Sequence, residues 1–281
     1  MIEIKNKKFT EERALYNTND AIISDCVFES SIGESPLKEC NNIKLLNSKF
    51  SIRYALWHVS NFHINNINMD ELSRACLWYS NFGTIDNSYL HGIKVIRECH
   101  DIKMNNCDID SEEFGWKSYN LEINDSKLNN TVYPFLMSHD VKINNMDLSG
   151  KYSFQYTKNI TIENSNLKTK DAFWHTENTI IKDSYVSSEY IGWYSKNLTL
   201  INCTIEGIQP FCYCENLKLV NCKMVNGNLA FEYSSVDADI NGEIESIKNP
   251  LSGKIVCDGV GEVIMSNQVK PCTGEIIIRK K

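Results

Sequence analysis

One nine-residue motif recurs along most of the chain and limits what the chain can fold into. Residues 159–167 read NITIENSNL, residues 197–205 read NLTLINCTI and residues 216–224 read NLKLVNCKM. The second Asn or Asp of each copy is taken as its anchor, and most successive anchors lie 19 residues apart. The anchors are Asp25, Asn47, Asn66, Asn87, Asn106, Asp125, Asn145, Asn164, Asp183, Asn202 and Asn221. A repeat of this length is typical of a solenoid.

Each copy alternates apolar and polar residues on both sides of its anchor, which indicates two short strands with one buried face. Asn tolerates left-handed backbone angles, so the anchor suits a tight bend, and Asn stacked on Asn in successive rungs would form an amide ladder. A period of about 19 residues leaves room for three short strands but not for a helix. We therefore expect an all-β fold, a single-stranded right-handed parallel β-helix of about 11 rungs of roughly 19–20 residues.

The repeat fills most of the 281 residues, so one domain over 1–281 is expected. Residues 1–24 are interpreted as an N-terminal cap, 25–234 as the coils and 235–281 as a C-terminal cap, because an uncapped solenoid exposes unpaired strand edges. An edge of a cap, or the aromatic strip defined below, offers a route to a homo-oligomer.

Charge and cysteine usage narrow the classes of partner. The formal net charge of −7 gives no basis for binding nucleic acid or an anionic membrane. The first residues lack the apolar segment of a secretory signal, and no apolar run reaches transmembrane length. The 11 cysteines occupy repeat positions that mostly also accept Ser or Thr, which favours reduced structural thiols, a cytoplasmic location, no metal site and no cofactor.

Between successive motifs lies a third segment that carries many of the aromatic residues. All five tryptophans occupy one column, nine residues before an anchor. They are Trp57, Trp78, Trp116, Trp174 and Trp193. Small residues flank this column, and large side chains flanked by small ones fill a narrow core, so we expect the tryptophans to point inward.

The opposite face of the third segment would then point to solvent and form an aromatic strip. Its centre is apolar and comprises Leu56, Leu77, Ile96, Phe135, Phe154, Phe173 and Phe211, and its margins are polar. An exposed apolar strip with polar margins is typical of a binding surface, and flat rings with polar rims suit sugars. Coverage of the strip by a loop or a second subunit is the alternative interpretation.

Residues of the third segment supply candidate binding groups. The substrate-binding candidates are Lys94, Arg97, Lys117, Tyr79, Tyr152, Tyr156, Phe154, Phe173, Tyr190, Tyr194 and Tyr213. Their hydroxyl, cationic and aromatic groups match a carbohydrate ligand, either an oligosaccharide or a polysaccharide.

Asp171 and His175 are the first catalytic candidates, because they share one strand and one face and have tyrosines beside them in the adjacent rungs. A His among tyrosines can act as a general acid or base, although it also fits a structural hydrogen-bonding role. No cation is expected to pair with Asp171. His58, one rung from Tyr79, is a weaker catalytic candidate.

Glu98 and Glu113 are further catalytic candidates, because glycoside hydrolysis uses two carboxyl groups. The spacing also places Glu98 one rung from Lys117 and Glu113 one rung from Lys94, which fits a checkerboard of neutralising ion pairs. No pair of carboxyl groups with the spacing of a glycosidase is evident from the sequence.

Several segments of the chain resemble a bacterial family of pectin-lyase-like right-handed β-helix proteins, domain of unknown function 3737. They are RYALWH at 53–58, HGIKVIREC at 91–99, FGWK at 114–117, KDAFWH at 170–175, GWYS at 192–195 and KNPLSG at 248–253. The resemblance covers nearly the whole chain. It implies the parallel β-helix and, by analogy, a carbohydrate hydrolase or lyase, and it assigns no catalytic residue.

Two functions are therefore open at this point. One is an intracellular carbohydrate-active enzyme that uses Asp171 and His175. The other is a non-catalytic glycan-binding or assembly scaffold that uses the same aromatic strip.

Overall fold

The computed structural model describes residues 1–280, and these residues form strands, turns and bends without a helix. The chain divides into two compact units, Met1–Asp147 and Leu148–Lys281. Both units are built from short strands that pair in parallel from one turn to the next. The structure thus confirms the all-β parallel β-helix that the repeat predicts.

No helix within residues 1–280 has the length and apolar character needed to cross a membrane.

The first unit contains two main columns of parallel strands, one before and one after each anchor. Its strands are β1 (Ile2–Lys5), β2 (Lys8–Phe9), β3 (Asn19–Ser24), β4 (Val27–Glu34), β5 (Asn41–Leu46), β6 (Lys49–Arg53), β7 (Leu56–Trp57), β8 (Ser60–Asn65), β9 (Asn68–Met69), β10 (Leu77–Trp78), β11 (Asn81–Asp86), β12 (Tyr89–His91), β13 (Ile96–Arg97), β14 (His100–Asn105), β15 (Asp108–Asp110) and β16 (Tyr119–Val132). Strands β7, β10 and β13 form a separate small sheet from the third segment.

Strand β17 (His139–Lys151) contains the boundary between the two units. The strands of the second unit are β18 (Lys158–Glu163), β19 (Asn166–Lys168), β20 (Glu177–Lys182), β21 (Tyr185–Ser187), β22 (Lys196–Ile201), β23 (Thr204–Ile208), β24 (Leu217–Asn228), β25 (Ser235–Ile240), β26 (Glu243–Lys248), β27 (Ser252–Cys257), β28 (Gly259–Ile264) and β29 (Glu275–Ile278).

The coil has about 15 turns, more than the 11 anchors suggest. At the N-terminal end β1 pairs in parallel with β3, and Asn6 adopts the same left-handed conformation as the later anchors, with a φ of 53°. At the C-terminal end β25 pairs with β27, and β27 pairs with β29, again in parallel. Residues 1–24 and 235–281, interpreted from the sequence as caps, therefore contain further turns of the coil. These turns were not recognised because the repeat is less regular there.

The anchors bend the chain and also join neighbouring turns. Asn202 has a φ of 54°, and its side-chain amide donates to Asp183 at 2.9 Å. The Asn221 amide in turn donates to Asn202 at 2.8 Å. This confirms the predicted amide ladder. A second ladder, which was not predicted, joins Asn178 and Asn197 at 2.8 Å at another bend of the same turns.

Replacing Asn202 separates the two roles of an anchor. Asn202→Ala removes both amide bonds and puts Ala in the left-handed region, so we expect it to lower the free energy of unfolding by about 2–3 kcal/mol. Asn202→Gly removes the same bonds at a residue type that accepts this φ, and should cost about 1 kcal/mol less. Chemical denaturation followed by circular dichroism measures both. Equal losses would show that the backbone conformation contributes nothing.

Candidate functional site

The backbone of the third segment determines which side chains reach the surface. In the turn that contains the first catalytic candidates, Asp171, Phe173 and His175 have φ values of 51°, 60° and 53°. The strict alternation of side chains between two faces belongs to extended backbone. Left-handed residues at every second position break that alternation, so Ala172 and Phe173 are both buried whereas Trp174 is half-buried.

The predicted facing of this segment is wrong for its apolar centre and for the tryptophans. The residues assigned to an exposed apolar centre, Leu56, Leu77, Ile96, Phe135, Phe154, Phe173 and Phe211, are 0% exposed and fill the core. The five tryptophans, expected inside, are only partly buried at the surface. Phe154 and Phe173 stack on each other with ring centroids 4.9 Å apart, and neither can contact a ligand.

In the first unit a stack of tryptophans includes a cation. Trp57 and Trp78 stack at 5.8 Å, and the Arg97 guanidinium lies 5.2 Å from the Trp78 ring and 5.6 Å from the Trp116 ring. A guanidinium between two indole faces is held by cation–π attraction. Arg97 also pairs with Glu98, whose carboxylate lies 3.2 Å from its Nε.

The charged candidates of the first unit mostly neutralise one another. Lys94 pairs with Glu113 at 3.1 Å, as the checkerboard predicts. The expected pair of Glu98 with Lys117 is replaced by the pair with Arg97, and Lys117 is exposed with no ion pair to another residue in 1–280. Glu98 and Glu113 are therefore each held in an ion pair with a cationic side chain.

His58 lies beside Tyr79, as the spacing predicts, with ring centroids 5.3 Å apart in an edge-on arrangement. Its Nδ1 lies 2.9 Å from the Glu39 carboxylate. Tyr79 itself stacks on Trp78 at 5.4 Å. These contacts give His58 a structural role in the stack of the first unit.

In the second unit four rings from successive turns form a column that we call the Tyr–His ladder, comprising Tyr156, His175, Tyr194 and Tyr213. The centroids are 4.8, 5.0 and 4.9 Å apart and the ring planes are within 8° of parallel. Both faces of His175 are covered by its neighbours. The inner rings, His175 and Tyr194, therefore present their edges to solvent, with hydroxyl and imidazole groups in a row, rather than faces on which a sugar could stack.

A second stack, of Trp174 on Trp193 at 5.2 Å, comes from the same turns as the ladder. Tyr190 packs against Trp193 at 5.1 Å. The Trp193 indole donates to the Gln209 carbonyl at 2.9 Å, whereas the Trp174 Nε1 is buried with no hydrogen-bond partner in residues 1–280. Tyr152, another binding candidate, precedes Asp171 by one turn.

Asp171 is the most unusual carboxyl group of the second unit. Its residue is 8% exposed, and its buried Oδ1 has no hydrogen-bond partner in the described part of the chain. Burial raises the pKa of this carboxyl above its usual value, and the nearby negative charge of Glu189 raises the pKa further against the opposing effect of Lys170. No hydrogen bond or ion pair joins Asp171 to His175 within residues 1–280.

The structure therefore assembles only part of the predicted site. It brings His175 together with Tyr156 and Tyr194, but it separates an exposed His175 from a buried Asp171. It also adds Glu189, which sequence reasoning missed. The one sequence signal for Glu189 is its 19-residue spacing from Lys170, which equals the repeat and leads to an ion pair at 2.8 Å.

Comparison with known proteins agrees with the fold. A family model described as "Protein of unknown function (DUF3737)" matches residues 2–278. No curated protein matches the chain in sequence.

Solved structures with similar architecture include a double mutant of the tailspike protein of E. coli bacteriophage HK620. Its TM-score is 0.51 at 8% identity, over 96% of this chain and 65% of the tailspike, so the chain spans less than two thirds of that protein. A mutant of the same tailspike in complex with a hexasaccharide has a TM-score of 0.48 at 9% identity, over 90% and 60% of the two chains. Endo-xylogalacturonan hydrolase from Aspergillus tubingensis has a TM-score of 0.41 at 12% identity, over 83% and 87%. The likeness to the tailspike double mutant, at 8% identity, shows the fold alone.

Truncating neighbouring residues of the third segment tests which of its side chains lie in the core. Phe173→Ala removes a side chain that is 0% exposed, so we expect a loss of about 3–5 kcal/mol in the free energy of unfolding. Trp174→Ala, the matched control from the next position, should cost less than half as much because the indole is half-buried. Denaturation midpoints provide the comparison, and a larger loss for Trp174→Ala would reverse the facing assigned here.

The pKa of Asp171 predicts a pH-dependent effect of neutralising it. Folding raises this pKa, so the protonated carboxyl is compatible with the folded state and the ionised carboxylate destabilises it. The destabilisation develops as the pH rises from the unfolded-state pKa and is complete above the folded-state pKa. Asp171→Asn should therefore be more stable than the wild type at pH 7, and the difference should shrink as the pH falls below that pKa. Thermal unfolding at a series of pH values measures this, and a variant that is less stable at pH 7 would contradict it.

Proposed function

The chain belongs to the DUF3737 family of proteins of unknown function, and we propose that it binds a carbohydrate chain through the Tyr–His ladder of its second unit. The observation that carries the proposal is the parallel stacking of Tyr156, His175, Tyr194 and Tyr213 at intervals of 4.8–5.0 Å. The stacking places the polar edges of the four rings in one row across successive turns.

The polar edges of the ladder are open to solvent. Tyr156 is 50% exposed, Tyr194 is 43% exposed and His175 lies between them at the surface. A phenol both donates and accepts hydrogen bonds, and a neutral imidazole has one donor and one acceptor nitrogen. A ligand that matches this row has to carry many hydroxyl groups along its length, as an oligosaccharide or polysaccharide does.

Stacking also fixes the ladder before a ligand arrives. Each ring is held between the rings of adjacent turns, and such aromatic pairs contribute about 0.5–1.5 kcal/mol beyond their burial. Side chains that are already ordered lose little conformational freedom on binding, which favours affinity. An isolated exposed tyrosine would lack this advantage.

Removing hydroxyl groups from the ladder tests the proposal without disturbing the stack. Tyr156→Phe and Tyr194→Phe each delete a hydroxyl from an exposed ring edge, and a lost hydrogen bond of about 1 kcal/mol corresponds to roughly fivefold weaker binding. We expect about that loss for each variant and a larger one for the double variant. A glycan array identifies the bound oligosaccharide, and isothermal titration calorimetry measures its affinity.

Tyr119→Phe is the matched control. Tyr119 is a stacked tyrosine of the first unit, 36% exposed and lying 4.7 Å from His100 and 5.0 Å from His139. Its hydroxyl lies outside the ladder, so Tyr119→Phe should bind as the wild type does. Binding that is unchanged in the double variant, or a folded wild type that binds no glycan on the array, refutes the proposal.

A further inference from the structure

Two carboxyl groups of the second unit are placed in adjacent turns by the parallel register. Ala172 pairs with Ile191 in a parallel bridge, and the Ala172 amide donates to the Tyr190 carbonyl at 3.0 Å. Asp171 therefore lies beside Tyr190, and Glu189 lies diagonally across from Asp171. Adjacent strands are about 4.8 Å apart. Carboxyl groups on diagonal neighbours can therefore reach the separation of roughly 6.5–9.5 Å that glycoside hydrolysis uses when one carboxylate activates a water molecule.

The surroundings of Asp171 leave buried polar atoms without partners. The Asp171 Oδ1 and the Trp174 Nε1, three residues apart in one turn, are both buried and form no hydrogen bond to another residue in 1–280. An unpaired buried polar group is rare in folded proteins and costs free energy. The first atom accepts a hydrogen bond, or donates one when the carboxyl is protonated, and the second donates. The described part of the protein therefore leaves the hydrogen-bonding capacity of both atoms unused.

Glu189 lies at the edge of a cleft in the same unit. This cleft has a volume of about 440 Å³, and its lining includes Ser187, Ser188, Glu189 and Glu206. The Ser188 hydroxyl accepts from the Ala172 amide at 3.3 Å and donates to the Tyr190 carbonyl at 3.0 Å. The cleft wall is thus bonded directly to the residues next to Asp171.

We infer that Asp171 and Glu189 are the catalytic acid and base of a glycoside-hydrolysing site at the edge of this cleft, an inference that rests on the proposed carbohydrate binding. The Asp171 carboxylic acid donates its proton to the glycosidic oxygen as the bond from the anomeric carbon to that oxygen breaks. The Glu189 carboxylate removes a proton from a water molecule, whose oxygen forms the new bond to the anomeric carbon. One water is consumed, and proton exchange with solvent restores both groups.

The charge states of the two groups support these roles. Burial raises the pKa of Asp171, which favours the protonated form that an acid requires. The hydrogen bond from Lys170 lowers the pKa of Glu189, which favours the carboxylate that a base requires. Neighbouring carboxyl groups whose environments shift their pKa values in opposite directions are typical of acid–base pairs. The charge of Glu189 also raises the pKa of Tyr190, consistent with its position between the two groups.

The experiment measures hydrolysis and binding separately on the full chain. Release of reducing ends is assayed on a panel of soluble polysaccharides and end-labelled oligosaccharides, and binding of the same probes is measured by calorimetry. Asp171→Asn and Glu189→Gln should each lower the rate by at least about 100-fold. Both should keep binding within a few fold of the wild type, because the ladder is unchanged.

Glu177→Gln is the matched control. Glu177 forms the same kind of inter-turn ion pair in the same unit, with Lys158 at 3.0 Å. Glu177→Gln removes this ion pair and should leave the rate of hydrolysis unchanged. Lys170 acts as a positioning residue, and Lys170→Met should raise the pKa of Glu189 and so move the acidic limb of the pH–rate profile to higher pH. A variant that merely unfolded the site would lower the rate at every pH.

The outcomes separate this inference from the proposed function. A wild type that binds a glycan but releases no reducing ends from it, or that keeps its rate in Asp171→Asn or Glu189→Gln, overturns the acid–base pair and leaves the ladder as a non-catalytic binding surface. Hydrolysis that depends on both carboxyl groups but not on the ladder hydroxyls supports the pair and overturns the ladder as the binding site.

Discussion

The left-handed backbone conformation at fixed positions of each turn is the constraint on which the rest of the structure depends. A parallel coil needs a bend between its strands, and Asn47, Asn66 and Asn87 supply it with φ values of 47°, 54° and 50°. Asn accepts this conformation more readily than most residues. Its amide also bonds to the anchor of the neighbouring turn, as between Asn66 and Asn47 at 2.9 Å. One residue type therefore bends the chain and joins its turns.

The third segment uses the same conformation with residues that are poorly suited to it. Phe154, Phe173 and Phe211 have φ values of 59°, 60° and 64°, and a left-handed residue other than Gly or Asn costs about 1–2 kcal/mol. Burial of a Phe side chain contributes about 1.5–3 kcal/mol, which offsets that cost. The strain is therefore tolerated because it directs a large ring into the core at each of these positions.

The regular strands were predictable from the sequence, whereas the third segment was not. Around Asn164 and Asn202 the apolar residues alternate with polar ones, and that pattern indicates extended strands with one buried face. In the third segment the pattern of Phe173 and Trp174 fits either facing, and only the φ angles distinguish them. The ladder neighbours of His175 were predictable because they follow from the 19-residue spacing alone. Glu189 was missed because no motif links it to Asp171, and only the register of two turns brings the residues together.

The identity of residue 171 is hard to explain by stability alone. The corresponding positions one turn before and after, by the 19-residue spacing, carry Tyr152 and Tyr190, so this position accepts an uncharged side chain. Asn is abundant in this chain and would supply a donor and an acceptor without the desolvation cost of a carboxylate. Several other acidic groups of the unit are neutralised across turns, as Glu177 is by Lys158 and Glu215 is by Lys196. A buried carboxyl group that lacks such a partner at a position open to neutral residues is consistent with the proton-donating role proposed for Asp171.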